Sequence, residues 1–298
     1  MKFKKTISLL VLCIIILSLA VSAYGVFSNQ GQGKYQFNSL HGKTIIIYGK
    51  GLYQFDSVSV ASQAIAQDII TMILGIPLLI IALYLSSKGL LKGKLLLSGT
   101  LGYFLYTYAS YSFLAMYNPL FLIYVLLMSA SFFAFTLTMM SFDLEDLSSH
   151  FNPKLSVKFI SGFLIFIAVS IGLMWLGRIM PPLIKGTAPL DLEHYTTLVI
   201  QALDLGFIVP TAILSGVLLL RRKPIGYLLA SVLTIKAITM LTAISAMVIR
   251  MSLAGVKVSF VEMTLFPLFN LVAIYCFVLI LKNIEEVGYS GNGTSRSV

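Results

Sequence analysis

Eight stretches of this chain, approximately 7–27, 66–87, 95–116, 120–141, 159–179, 196–220, 225–249 and 260–282, run almost without charge. Each is close to the length, about 20 residues, that a helix needs to cross a hydrocarbon core of about 30 Å. Inside that layer the backbone has no water to bond, so such runs must satisfy their amides internally and are read as helices. The expected fold class is all-α, a polytopic membrane helix bundle of about eight transmembrane helices in one membrane domain, 1–283. Composition agrees: 58% of the residues are hydrophobic, 11% are charged and the mean hydropathy is +0.94. A water-soluble domain carries about a quarter charged residues.

The net charge of +10 would suit a nucleic-acid partner if the basic residues lay on one surface. They lie between the apolar runs instead. With both termini inside, thirteen Lys and Arg fall in cytoplasmic segments and seven in outer ones, the densest clusters being Lys88 to Lys94 and Arg221 to Lys223. That asymmetry follows the positive-inside rule. It sets an orientation with both termini cytoplasmic and makes a plasma or inner membrane bilayer, and no nucleic acid, the expected surrounding.

The first run begins MKFKK and passes Val21-Ser22-Ala23, small residues that a signal peptidase could read, but it stays apolar as far as Phe27. A retained first helix is expected. Between it and the second run, 28–65 is the longest polar segment, on the outer side, and a β-hairpin is expected there about Gly49-Lys50-Gly51. It reads as a cap on the helix ends, or secondarily as a lid. Asp143, Glu145 and Asp146 mark a solvated linker, and 284–298 is expected to be a disordered cytoplasmic tail. Cys13 and Cys276 lie within apolar runs, as packing residues rather than a disulfide.

The second and sixth runs resemble each other. Each presents a Gln (Gln67, Gln201), an Asp (Asp68, Asp204), a Pro (Pro77, Pro210) and then a basic connection. A parallel duplication of four helices plus four, a plan used by transporters, is expected from this. The stretch VPTAILSGVLLLRRKPIGYLLASVLTIKAITM, 209–240, resembles segments of multi-pass prokaryotic membrane proteins to which no activity is attached. The resemblance spans about a tenth of the chain and implies the membrane class alone.

Lys236 lies in the middle of the otherwise uncharged seventh run. A charge at the bilayer centre costs about 2.5–3.5 kcal/mol on the most lenient scale, so it needs a partner inside the bundle. Counting from the tight turn at 221–224, Asp204 and Lys236 differ in depth by roughly 7 Å at about 1.5 Å per residue, which makes Asp204 the expected counter-ion. Gln201, Asp204, Thr211 and Ser215 share an arc of about 80° on the sixth run, and Pro210 interrupts the helix beside them. Gln67 and Asp68 would be the equivalent pair in the other half. Asp68 and Glu262 also suit the positive ends of their helices. The third run adds a side of Thr100, Tyr103, Thr107, Ser110 and Tyr111, read as a helix seam or a cavity wall.

His41, His150 and His194 fall in predicted loops, and no zinc, haem, phosphate-cradle or serine-nucleophile motif is present in the sequence. No cofactor, no metal and no enzymatic activity are expected. The reading is a protein that binds or translocates a small solute or ion through a charged site at mid-membrane. The alternative is a non-transporting subunit or sensor acting through a membrane protein partner.

Overall fold

The computed structural model describes residues 3–286. Eight long helices alternate in direction: α1 (Lys4–Phe27), α2 (Val58–Ser87), α3 (Leu91–Leu114), α4 (Phe121–Met139), α5 (Val157–Lys185), α6 (Val199–Leu220), α7 (Pro224–Leu253) and α8 (Phe260–Lys282). Seven of them, all but α3, are long and apolar enough to cross a membrane. The chain is a multi-pass membrane protein.

The exception has a physical reason. α3 is as long as α1, but Ser, Thr, Gly and four tyrosines dilute its hydropathy. It is packed by α2, α4 and α7, and 14 of its 24 residues are buried. A helix shielded from lipid by its neighbours has no need of an apolar surface all round. α7 is the other inner helix, with half of its apolar window buried against 17% for α8 at the periphery.

α1 shows how the seams are built. Its buried residues Ile7, Val11, Ile14, Ser18, Val21 and Gly25 recur at alternating intervals of four and three, the spacing of a heptad seam, with Ser22 buried beside them. That face packs on α4 and α2.

Several element ends differ from the sequence expectation. α2 starts at Val58 rather than near 66, because Ser57 caps it by accepting from Val60 N–H at 3.2 Å and Ser62 returns its hydroxyl proton to Val58 O at 2.6 Å. α5 continues through Pro181 and Pro182 to Lys185 and stops at Gly186, whose φ of 65° suits a glycine cap. The polar segment thus shrinks to 28–57. Its hairpin pairs β1 (Tyr35–Asn38) with β2 (Thr44–Ile47), Tyr35 opposite Ile47. The reversal is therefore at Ser39 to Lys43, with Gly42 at φ 73°, and not at Gly49-Lys50-Gly51. Those two glycines instead turn the chain back onto 30–33, Gly33 N–H donating to Gly49 O and Gly51 N–H to Gln30 O.

The cap joins distant parts of the chain. Asp56, 1% exposed, accepts on Oδ1 from Met116 N–H and from Tyr195 O–H, both at 3.0 Å. On the opposite face of the bundle, residues 284–286 are not a tail. Ile284 bridges to Phe151, Glu285 N–H donates to His150 O, and the Glu286 carboxylate accepts from the first two amides of α3, Leu91 N–H at 2.8 Å and Lys92 N–H at 2.9 Å. A helix start leaves those amides unpaired, so the acidic side chain has a defined place to dock. The rest of the expected tail, 287–298, lies outside the described residues.

Candidate functional site

The centre of the bundle follows from how closely α3 and α7 approach. Gly99 rests against α7 so tightly that a Cβ there would stand 2.4 Å from Ile235 Cβ and 2.9 Å from Val232 O. One turn further, Gly102 leaves room for the Lys236 stem, whose Cγ would lie 3.8 Å from a Cβ at that glycine. One turn further again stands Tyr106, and the Lys236 ammonium rests over its ring, 4.0 Å from the centroid. A desolvated cation on an aromatic face gains about 2 kcal/mol.

Tyr106 also holds the carboxylate. Its O–H donates to Asp204 Oδ1 at 2.7 Å, and Trp175 Nε1–H from α5 donates to Asp204 Oδ2 at 2.8 Å. Asp204 and Lys236 are thus linked through one phenol and not by direct contact. Among the described residues the ion pairs are His150 with Asp146 and Arg178 with Asp191 and Glu262, so no carboxylate comes within ion-pair distance of Lys236 Nζ. Lys236 is 8% exposed and its ammonium has no hydrogen-bond acceptor among the described residues.

The local backbone explains where Asp204 points. α6 widens into a π turn at Asp204–Ile208, closed by Val209 N–H to Asp204 O, and Pro210 follows. α2 does the same at Thr71–Gly75, closed by Ile76 N–H to Thr71 O, with Pro77 following. Both prolines come six residues after the π turn opens, so this register sets Thr71, rather than Asp68, against Asp204. The parallel extends to the partners. Thr71 Oγ1 is 2.9 Å from the Tyr103 hydroxyl, as Asp204 is bonded to Tyr106 one turn along the same helix.

The other expected residues divide. Gln201 lies one turn before Asp204, half-buried and without a side-chain hydrogen bond among the described residues. Ser215 is fully buried and donates to Thr211 O, while its neighbour Gly216 lies against Ile165 and Ser161 O of α5. That part of α6 is a close helix seam. Gln67 donates from Nε2 to Tyr103 (2.5 Å) and Thr107 (3.2 Å). Asp68 contacts Tyr53 and Tyr111, apart from Lys236. Glu262 closes a capping box with Ser259 and pairs with Arg178 at 3.0 Å at the start of α8.

Sequence reasoning passed over Tyr106, Trp175 and Tyr53. Trp175 is the only tryptophan in the chain, and it carries a donor within an apolar run. That combination was the available signal, since a buried indole N–H seeks an acceptor.

Two open apolar grooves mark the flanks of the bundle. One of about 190 Å³ lies between α2 and α7, lined by Ala66, Ile69, Ala246 and Leu253, and one of about 470 Å³ lies between α5 and α8, lined by Phe159, Phe166, Leu268 and Phe269. Neither touches Asp204 or Lys236. Comparison of the chain with protein-family models, with proteins of assigned function and with solved structures finds no match.

Proposed function

We propose that this membrane protein binds a small solute carrying an anionic group at the centre formed by Lys236, Tyr106, Asp204 and Trp175, and moves it across the bilayer. The observation behind this reading is Lys236, a buried residue whose ammonium has neither a carboxylate within ion-pair distance nor a hydrogen-bond acceptor among the described residues. A lysine buried within an apolar span normally has a partner, and an anionic ligand would supply one. Gln201, half-buried one turn from Asp204, would contribute a polar contact, and the π turns before Pro77 and Pro210 would let α2 and α6 bend around the centre. Thr211, Ser215, Gln67 and Asp68 are left to helix packing and to a separate cluster. In this reading α3 is an eighth span, the hairpin faces outward, both termini face the cytoplasm, and the matched π turns of α2 and α6 descend from a four-plus-four duplication.

A second reading has its own observation. Both Asp204 oxygens are already occupied by neutral donors, and the two grooves described are lateral and apolar. That pattern suits a subunit or sensor whose polar core fixes packing while its flanks meet a membrane partner.

Thermal unfolding in lipid nanodiscs, with and without a panel of small carboxylates, phosphates and inorganic anions, separates the two. A ligand at a hundredfold excess over its Kd adds about 2.7 kcal/mol. Stabilisation by an anion that disappears in Lys236→Met supports the carrier. No shift with any anion, with Lys236→Met still lowering stability, supports the subunit.

A further inference from the structure

The Asp68 cluster stands apart from the centre just described, and its hydrogen bonds leave a proton unaccounted for. Asp68 is 1% exposed on α2. α1 presses on it so closely that a Cβ at Gly25 would lie 2.0 Å from Asp68 Oδ2. Tyr53 O–H donates to that same oxygen at 2.6 Å. The Tyr111 hydroxyl lies between two acceptors, 2.9 Å from Ala64 O and 3.1 Å from Asp68 Oδ1.

A phenol has one proton to donate. If it goes to the nearer acceptor, Ala64 O, two oxygens are left facing each other at 3.1 Å with nothing between them unless Asp68 supplies the hydrogen. The groups around the carboxyl are Ser22 and Gly25 from α1, Tyr53 from the turn before α2, Tyr103, Tyr108 and Tyr111 from α3, and Tyr124 from α4. None is a cation. An ionised Asp68 would be an isolated buried charge, which a protein interior tolerates poorly.

We propose that Asp68 is a proton-binding site within the membrane, a carboxylic acid whose Oδ1–H donates to the Tyr111 hydroxyl while Tyr111 donates to Ala64 O and Tyr53 donates to Oδ2. The proton comes from water and returns to water, leaving a carboxylate that accepts from Tyr53 on Oδ2 and from Tyr111 on Oδ1, the Tyr111 proton then turning away from Ala64 O. The hydroxyls of Ser22, Tyr108 and Tyr124 are buried beside the carboxyl without a hydrogen bond of regular geometry, and are further sites a proton or a water can occupy on its way. The π turn that opens at Thr71, three residues on, is the part of α2 best able to respond when the Tyr111 bond changes. This inference stands whether or not the Lys236 centre binds a solute.

Infrared spectroscopy of the protein in sodium-free nanodiscs at neutral pH tests it, reading the carbonyl stretch of a protonated carboxylic acid. The expected result is such a band, shifted by deuterium exchange, lost in Asp68→Asn, retained in Asp204→Asn, and moved in frequency by Tyr111→Phe. Asp68→Asn, which keeps the shape and a donor toward Tyr111, should leave thermal stability within a few degrees of the parent. The inference is overturned if no band is lost with Asp68→Asn, if sodium is required for the parent's stability and Asp68→Asn abolishes that requirement, or if Asp68→Asn fails to fold.

Discussion

Tyr106 donates its phenolic proton to Asp204 Oδ1 at 2.7 Å while its ring face carries the Lys236 ammonium, so one side chain of α3 stands between the two charges of the seventh and sixth helices. The arrangement divides neutralisation into a hydrogen bond on one side and a cation–π contact on the other. It also leaves the ammonium without an anion in direct contact, which is what opens the question of a ligand.

Removing the phenol oxygen should therefore uncouple the pair. Tyr106→Phe keeps the ring under Lys236 but strips one donor from Asp204; a fully buried acceptor left unpaired costs about 1–3 kcal/mol, and the partly buried Asp204 should lose toward the lower end of that range. A double-mutant cycle of Tyr106→Phe with Asp204→Ala should show a coupling of about 0.5–3 kcal/mol, because both remove the same bond. Additive effects in denaturant-dependent unfolding would place the stabilisation elsewhere.

Gly25 should tolerate no larger residue while Asp68 is present. The Cβ of Gly25→Ala would meet Asp68 Oδ2 at 2.0 Å and the Tyr53 hydroxyl at 3.0 Å. Overpacking of this kind destabilises by about 1–3 kcal/mol. Combining Gly25→Ala with Asp68→Ala frees the space, so the double variant should melt higher than the sum of the two single effects predicts.

The cap should be most stable in acid. Burial raises the Asp56 carboxyl from 3.8 to about 6, against the pull of its Met116 N–H and Tyr195 O–H donors. The folded state then binds more protons than the unfolded one between those values, so the contribution is complete below 3.8 and is lost as pH rises through about 6. At about 1.4 kcal/mol per pH unit the full effect is on the order of 3 kcal/mol. Glu193, raised by burial as well, adds in the same direction. Unfolding measured from pH about 4 to about 7 should show the slope, and Asp56→Asn should flatten most of it.

Glu286 should act as a cap supplied from the far end of the chain. Glu286→Ala leaves Leu91 N–H and Lys92 N–H without their acceptors, a loss of about 0.5–2 kcal/mol. Hydrogen exchange at those two amides should accelerate while amides of the α3 centre keep their rates. Unchanged exchange at Leu91 and Lys92 would mean that the cap contributes nothing.

What could be read from the sequence was whatever the bilayer imposes locally. Seven of the eight apolar runs became helices of spanning length and composition, because a membrane leaves a backbone no other way to pair its amides. Asp204 and Lys236 announced themselves as charges where charge is costly. The tyrosines of α3 were visible, but one face of that helix looked much like another. Only packing singled out Tyr106, through the approach of α7 at Gly99 and Gly102, and only packing turned Asp68 away from Lys236 toward Tyr53, Tyr111 and Gly25. The position of the hairpin turn and the docking of Glu286 were likewise decided by contacts between segments far apart in the chain. Helix formation is a matter of each segment and its solvent, whereas the choice of partner for a buried polar group depends on which faces meet, and no single segment contains that information.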